Sequence, residues 1–237
     1  MRQVLWRIYQ GSPALKRSAW QLYQWSIGLQ PRHEKAYATH IPILAALSVV
    51  AGPKRITEFG AGDYSTALFL DRSVFPKLET LVSLENDAAW YERVREKMGA
   101  DSRLDLRNIQ GELCHVVTQQ LLTTDIVFVD DSAFHVRNRT IAAVGKLAPA
   151  GVPVVVHDAE YVRTRMVIRH AFDHYFVFRA FHPQTAVAWN GELRFGSELR
   201  DIARRIAENA PRISPSNGEE WRATLSGSQN TSSASPK

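Results

Sequence analysis

A single cysteine, Cys114, stands among 237 residues. No internal disulfide can form, and a reducing, cytoplasmic compartment is the expected home. No cysteine–histidine spacing of a zinc site occurs, and no metal site is expected from local motifs. Long apolar runs are missing as well. The longest uncharged one, residues 41–52, falls well short of the ~20 residues that cross a bilayer. Arg2, Arg7, Lys16 and Arg17 interrupt the apolar stretches near the start, so no signal peptide is expected. Acidic charge is scarce in one place only: residues 1–40 carry Arg2, Arg7, Lys16, Arg17, Arg32 and Lys35 against Glu34, while the rest of the chain balances. The net charge of +5 therefore sits in an N-terminal arm, away from the candidate groove. That placement argues against a nucleic-acid partner.

What the chain does have is alternation. Residues 1–38 read as a helical arm broken at Gly11-Ser12-Pro13, with Trp6, Trp20 and Trp25 among basic residues. This arm either packs on the main domain or at a dimer contact, or lies on a membrane surface through residues 1–30. Residues 39–210 form the main domain. Helices are expected at 41–51, from Ser65, after Asn86 or Asp87, around Leu113 to Leu121, around Ile141 to Leu147, at 161–174 and at 198–207. Strands are expected at 55–59, 80–84, 104–109, 125–131 and 152–158, and a hairpin at 175–189. Runs such as IVFV and VPVVV suit strands buried on both faces of a parallel sheet. Residues 211–237, rich in Ser, Asn, Gly and Pro, read as a disordered tail.

In an open parallel sheet, ligands bind beyond the carboxyl ends of the strands. Each expected strand here ends in polar residues: Glu58 with Gly60 and Gly62, then Glu85, then Gly111-Glu112, Asp130-Asp131 and His157-Asp158. Gly60 and Gly62 allow a tight turn, and Ser65 or Thr66 can cap the helix that follows. A pyrophosphate over this turn would be repelled by Glu58, so the turn suits a ligand with an ammonium group. Glu85 stands where an acid accepts hydrogen bonds from ribose hydroxyls, a signal shared by NAD and other adenosine ligands.

The stretches TEFGAGDYST, VSLEND, IQGE, IVFVDD and GVPVVVHD, in this order and spacing, resemble the class I S-adenosylmethionine-dependent methyltransferases, within them the methyltransferase domain 24 kind. The resemblance covers about residues 40–190. It implies an α/β, Rossmann-like three-layer sandwich with a seven-stranded, mostly parallel sheet whose last strand is antiparallel, here with an N-terminal helical extension. It implies Glu58 near the methionine ammonium group, Gly60 and Gly62 beneath the methionine and ribose, Ser65 and Thr66 at the helix start, and Glu85 on the ribose. Asn86 would flank the adenine, Glu112 would lie at its edge, and Asp130 would face methionine and acceptor. The family often has Asp-Gly where Asp130-Asp131 stand, so Asp131 has no assigned role.

The activity implied is methyl transfer from S-adenosylmethionine to a small molecule or glycan, on oxygen. Asn-Pro-Pro-Tyr, carried by many amino-group methyltransferases, is absent after the fourth strand. His157 is the first candidate for general base, oriented by Asp158, with Asp130 beside it; the plainer reading is that His157 only hydrogen-bonds the sheet edge. His135 is a second candidate base. Asp130, Asp131 and Asp158 offer an alternative seat for Mg²⁺. Phe134, Tyr161, Phe172 and Tyr175 are candidates to line an acceptor pocket. The competing functions are an NAD(P)-dependent oxidoreductase and a non-catalytic adenosine-ligand-binding scaffold.

Overall fold

The computed structural model describes residues 36–117, 121 and 123–227. The arm read at residues 1–30 lies outside the described residues. Contacts divide the chain into residues 1–32 and residues 33–237.

Seven strands make one sheet: β1 (Arg55–Phe59), β2 (Thr80–Glu85), β3 (Leu104–Asn108), β4 (Ile126–Val129), β5 (Val154–Val156), β6 (His174–Phe178) and β7 (Thr185–Trp189). Their order is β3-β2-β1-β4-β5-β7-β6. The first five are parallel, and β7 runs antiparallel to both β5 and β6. The helices are α1 (Ile41–Val50), α2 (Ser65–Leu70), α3 (Ala88–Met98), α4 (Phe134–Leu147), α5 (Val162–Ala171), α6 (Gly196–Asn209) and α7 (Gly218–Gly227).

The apolar runs are explained by a core on each face of the sheet. Ile126, Phe128 and Val155 point to a cluster with Leu44 and Leu47 of α1, Ile202 and Ile206 of α6 and Trp221 of α7. Their neighbours Val127, Val129, Val154 and Val156 point the other way, to Ile141 and Val144 of α4 and Ile168 of α5. Alternate residues of one strand thus serve opposite layers, and neither face tolerates a polar residue in the middle.

Two expectations are corrected. Only a 3₁₀ turn, Leu113–Val116, forms among the described residues where a helix through Leu121 was expected. The tail expected from residue 211 is folded through residue 227: α7 packs on α1, and Trp221, Leu225 and Ile213 are buried. Composition misled because three apolar residues among many polar ones suffice to bury one face of a short helix.

Candidate functional site

The ladder continues past the strand ends and sets four distant segments in a row. The Gly60 N–H donates to Leu84 O at 2.9 Å, Asp130 N–H to Phe59 O at 2.8 Å, and His157 N–H to Val129 O at 3.1 Å. Strand order reverses between β1 and β4, where an open α/β sheet leaves a crevice. Gly60 and Asp130 flank that point. Gly60 has φ +91°, and a Cβ there would lie 2.7 Å from the Asp130 carbonyl carbon. Glycine is therefore demanded by the close passage of the β4 end as well as by the turn.

Glu58 closes β1 and is fully buried. Its Oε2 accepts hydrogen bonds from Thr66 Oγ1 at 2.7 Å and from Ser83 Oγ at 2.5 Å, Ser83 being its register partner on β2. Its Oε1 makes no hydrogen bond of good geometry among the described residues, although the Ser65 hydroxyl is near enough to help hold the carboxyl's pKa down. Burial pushes the carboxyl up to about 7, and the neighbouring hydroxyls offset this only in part. Ser65 and Thr66 do not cap α2, whose N-cap residue is Tyr64. Thr66 instead bridges, accepting from the Gly62 N–H at 2.9 Å while donating to Glu58. The loop is also held by the Trp90 indole, which donates to Ala61 O.

This burial makes Glu58 a pH sensor for stability. The unfolded carboxyl ionises near its ordinary value of 4.5 and the folded one near 7. Between those values the folded state holds the extra proton, so the contribution is full below pH 4.5 and is lost as pH rises through 7. Glu58→Gln mimics the protonated acid. Its stability relative to wild type is expected to rise by about 3 kcal/mol between pH 4.5 and pH 8, measured by urea unfolding at each pH.

Glu85 ends β2, and its Oε1 accepts from the Asn86 and Asp87 N–H groups at 2.7 and 2.8 Å. Burial raises its pKa, with these backbone bonds opposing. Asn86 Nδ2 donates to Gly111 O at 2.8 Å, tying the β2 end to the loop after β3. Glu112 lies on that loop and pairs with Arg139 at 2.5 Å.

At the β4 and β5 ends, His157 is buried with both ring nitrogens engaged. Nδ1 lies 3.0 Å from Asp130 Oδ2, and Nε2 lies 2.9 Å from Thr39 Oγ1. The Thr39 hydroxyl also lies 3.1 Å from Ala36 O, so its single proton serves one of these two contacts. The Asp130 carboxylate accepts from Nδ1 and favours a positive charge on the ring. Burial works against this charge, but Asp130 outweighs it and raises the His157 pKa. Asp130 is held well below the usual carboxylate range: burial opposes ionisation, and the His157 and Arg137 charges overcome it.

Asp130 rather than Asp158 orients His157. Asp158, with φ +56°, turns to Arg137, whose Nη1 donates to Asp158 Oδ2 at 2.9 Å. Asp131 is buried and accepts from Thr140 Oγ1 at 2.7 Å, with burial raising its pKa to about 6. Of the three carboxylates read as an alternative Mg²⁺ seat, Asp130 and Asp158 share the Arg137 guanidinium, and Asp131 accepts from Thr140 while its Oδ1 has no partner among the described residues.

Arg137, Thr39 and His40 are the site residues that sequence reasoning missed. Arg137, buried on α4, donates to the carbonyls of Asp131, Ser132 and His157 at 2.9, 3.1 and 3.1 Å and pairs with Asp130 Oδ1 at 2.9 Å. His40 packs its ring 4.9 Å from that of Phe128 and 4.8 Å from that of His157. Burial first, then the His157 charge, lowers the His40 pKa to about 3. Of the expected acceptor-pocket aromatics, Phe134 and Tyr161 stack at 5.2 Å beyond the β4 and β5 ends. Phe172 belongs to the core and Tyr175 to the outer strand β6. His135 is exposed on the first turn of α4.

No family model matches the sequence, and no curated protein matches it. Solved structures do match. A spermidine synthase in complex with the transition state analogue AdoDATO superposes with a TM-score of 0.51 at 12% identity, over 82% of this chain and 76% of that one. An O-methyltransferase family protein from Burkholderia thailandensis gives 0.49 at 12% identity, over 68% of this chain and 58% of that one. The O-methyltransferase from Bacillus cereus in complex with SAH gives 0.48 at 15% identity, over 73% and 91%. At these identities the likeness is one of fold. The seven-stranded sheet, with β7 inserted antiparallel beside β5, makes a Rossmann-like α/β fold that this chain shares with the spermidine synthase. Among the described residues no helix is long and apolar enough to cross a membrane.

Proposed function

We propose that this chain is an S-adenosylmethionine-dependent methyltransferase acting on an oxygen of a small-molecule or glycan acceptor. The observation that carries the reading is the Glu58 carboxyl, buried near the end of β1 beneath the glycine turn, with hydroxyl neighbours and, among the described residues, no cation beside it. A buried carboxylate without a cationic partner fits a cationic ligand group and disfavours a pyrophosphate. Glu85, one strand away and pinned by two backbone N–H groups, is placed to accept from ribose hydroxyls. Asn86 and Glu112, joined through the loop after β3, would bound the adenine. When bound, the cofactor supplies an electrophilic methyl group. Asp130, partly exposed where His157 is not, is the group to orient an acceptor hydroxyl by accepting its hydrogen bond. Its depressed pKa makes it a poor store for the proton, which passes to solvent as the new bond forms.

Glu85→Ala is expected to weaken S-adenosylmethionine binding by roughly 30-fold or more, the scale of lost hydrogen bonds to a charged group. Isothermal titration of the variant against wild type checks this. Equal affinity in the two proteins would remove Glu85 from the cofactor site. Transfer of labelled methyl from the cofactor to hydroxyl acceptors, set against amine acceptors, then tests the choice of oxygen.

A further inference from the structure

In the His40–Asp130–His157 cluster, methyl transfer gives a role to Asp130 but none to His40. Each of the three residues offers one ligand atom, and these atoms lie within 4.8 Å of one another. His40 is only 2% exposed, and neither of its ring nitrogens has a hydrogen-bond partner among the described residues. A buried imidazole with both nitrogens idle is uncommon, because the desolvated polar atoms gain nothing in return. It is the form a metal ligand takes before its ion arrives.

We propose that His40, Asp130 and His157 form a binding site for a divalent transition-metal ion of the zinc type. The Asp130 Oδ2 to His157 Nδ1 separation, 3.0 Å, is close to the ~3.4 Å between two ligand atoms on a tetrahedral ion with bonds of about 2.1 Å. The ion takes the place of the proton between them. His40 swings a nitrogen in by a small ring rotation. The outer partners are already in position: Thr39 Oγ1 lies 2.9 Å from His157 Nε2, ready to accept from it once Nδ1 holds the ion, and Arg137 holds Asp130 Oδ1. Such partners fix the tautomer of a ligating histidine and the orientation of a ligating carboxylate. Two imidazoles and one carboxylate favour zinc, iron or nickel over magnesium, which prefers an all-oxygen shell. Glu112, Cys114 and His115 make the other such cluster among the described residues. It lies in the rim loop, and Arg139 pairs with its carboxylate.

The site goes beyond the proposed methyl transfer and does not depend on it, so it is tested without the methyl donor. Full-length protein stripped of metal by a chelator and then exchanged into chelator-free buffer is titrated with Zn²⁺, and separately with Co²⁺ while the visible absorption is recorded. One equivalent is expected to bind, with a cobalt spectrum free of thiolate charge transfer. His40→Phe keeps the ring against Phe128 and removes the nitrogens. It is expected to weaken Zn²⁺ binding at least 100-fold while its circular dichroism stays that of the wild type. Cys114→Ser is expected to bind as wild type does. Anomalous scattering from a zinc-loaded crystal of the wild type locates the ion independently of any variant. An ion among the three side chains supports the site. No binding by wild type, unaltered binding by folded His40→Phe, loss of binding in Cys114→Ser, or an ion placed elsewhere would overturn it. S-adenosylmethionine binding measured in chelator reports on the methyl-transfer reading separately.

Discussion

Arg137→Met is expected to destabilise the fold by about 3–5 kcal/mol, the range seen when one partner of a buried charge network is removed. Arg137 ties the ends of β4 and β5 together, alongside the His157–Asp130 pair. Without it, the Asp130 and Asp158 carboxylates lose a cation at 2.9 Å each. The carbonyls of Asp131, Ser132 and His157 lose their donor as well. Methionine fills much of the volume, so the loss measures polar partnership more than a cavity. Arg137→Lys is expected to recover only a fraction, because one ammonium cannot reproduce donors spread over a planar fork. Urea unfolding of the three proteins at pH 7 checks both statements. A loss below 1 kcal/mol in Arg137→Met would show that solvent or rearranged neighbours satisfy these groups.

Trp221→Ala is expected to cost about 3–5 kcal/mol, lowering the melting temperature by roughly 6–20 °C. Trp221 is among the largest completely buried side chains. Its Nε1 donates to Ser214 O at 3.0 Å, closing the turn before α7, and its ring meets that of Phe181 edge-on. Removing it leaves a void between α7 and the core shared with α1 and α6. Thermal unfolding of the variant decides whether residues 211–227 belong to the domain. An unchanged melting temperature would return them to the status of a tail.

The parts of the fold legible in the sequence were those with a one-dimensional signature. IVFV and VPVVV are apolar at every position because each strand serves two cores, and the strand ends announce themselves by the change from leucine or valine to Glu85, Asp130 and His157. The row these residues form follows from parallel pairing, which aligns carboxyl ends whatever the sequence distance. The partners of the row were not legible. Thr39 lies 118 residues from the His157 with which it shares a hydrogen bond. Arg137 stands in FHVRNRT, where an arginine on a helix reads as a solvated charge. It is buried only because α4 starts directly over the β4 end. The partners of His157 were hidden for the same reason: the sequence at a strand end does not show that Asp130 and Thr39 meet its two ring nitrogens. The α7 error has another origin, since one tryptophan in a polar stretch carries no periodicity to read.

The central claim is that the crevice between β1 and β4 receives S-adenosylmethionine, with Glu58 and Glu85 excluding a pyrophosphate and accepting a ribose. Isothermal titration of the full chain with S-adenosylmethionine and, separately, with NAD tests it most directly. Micromolar binding of S-adenosylmethionine and none of NAD is the predicted result. Binding of NAD in its place, or of neither ligand, would contradict the account.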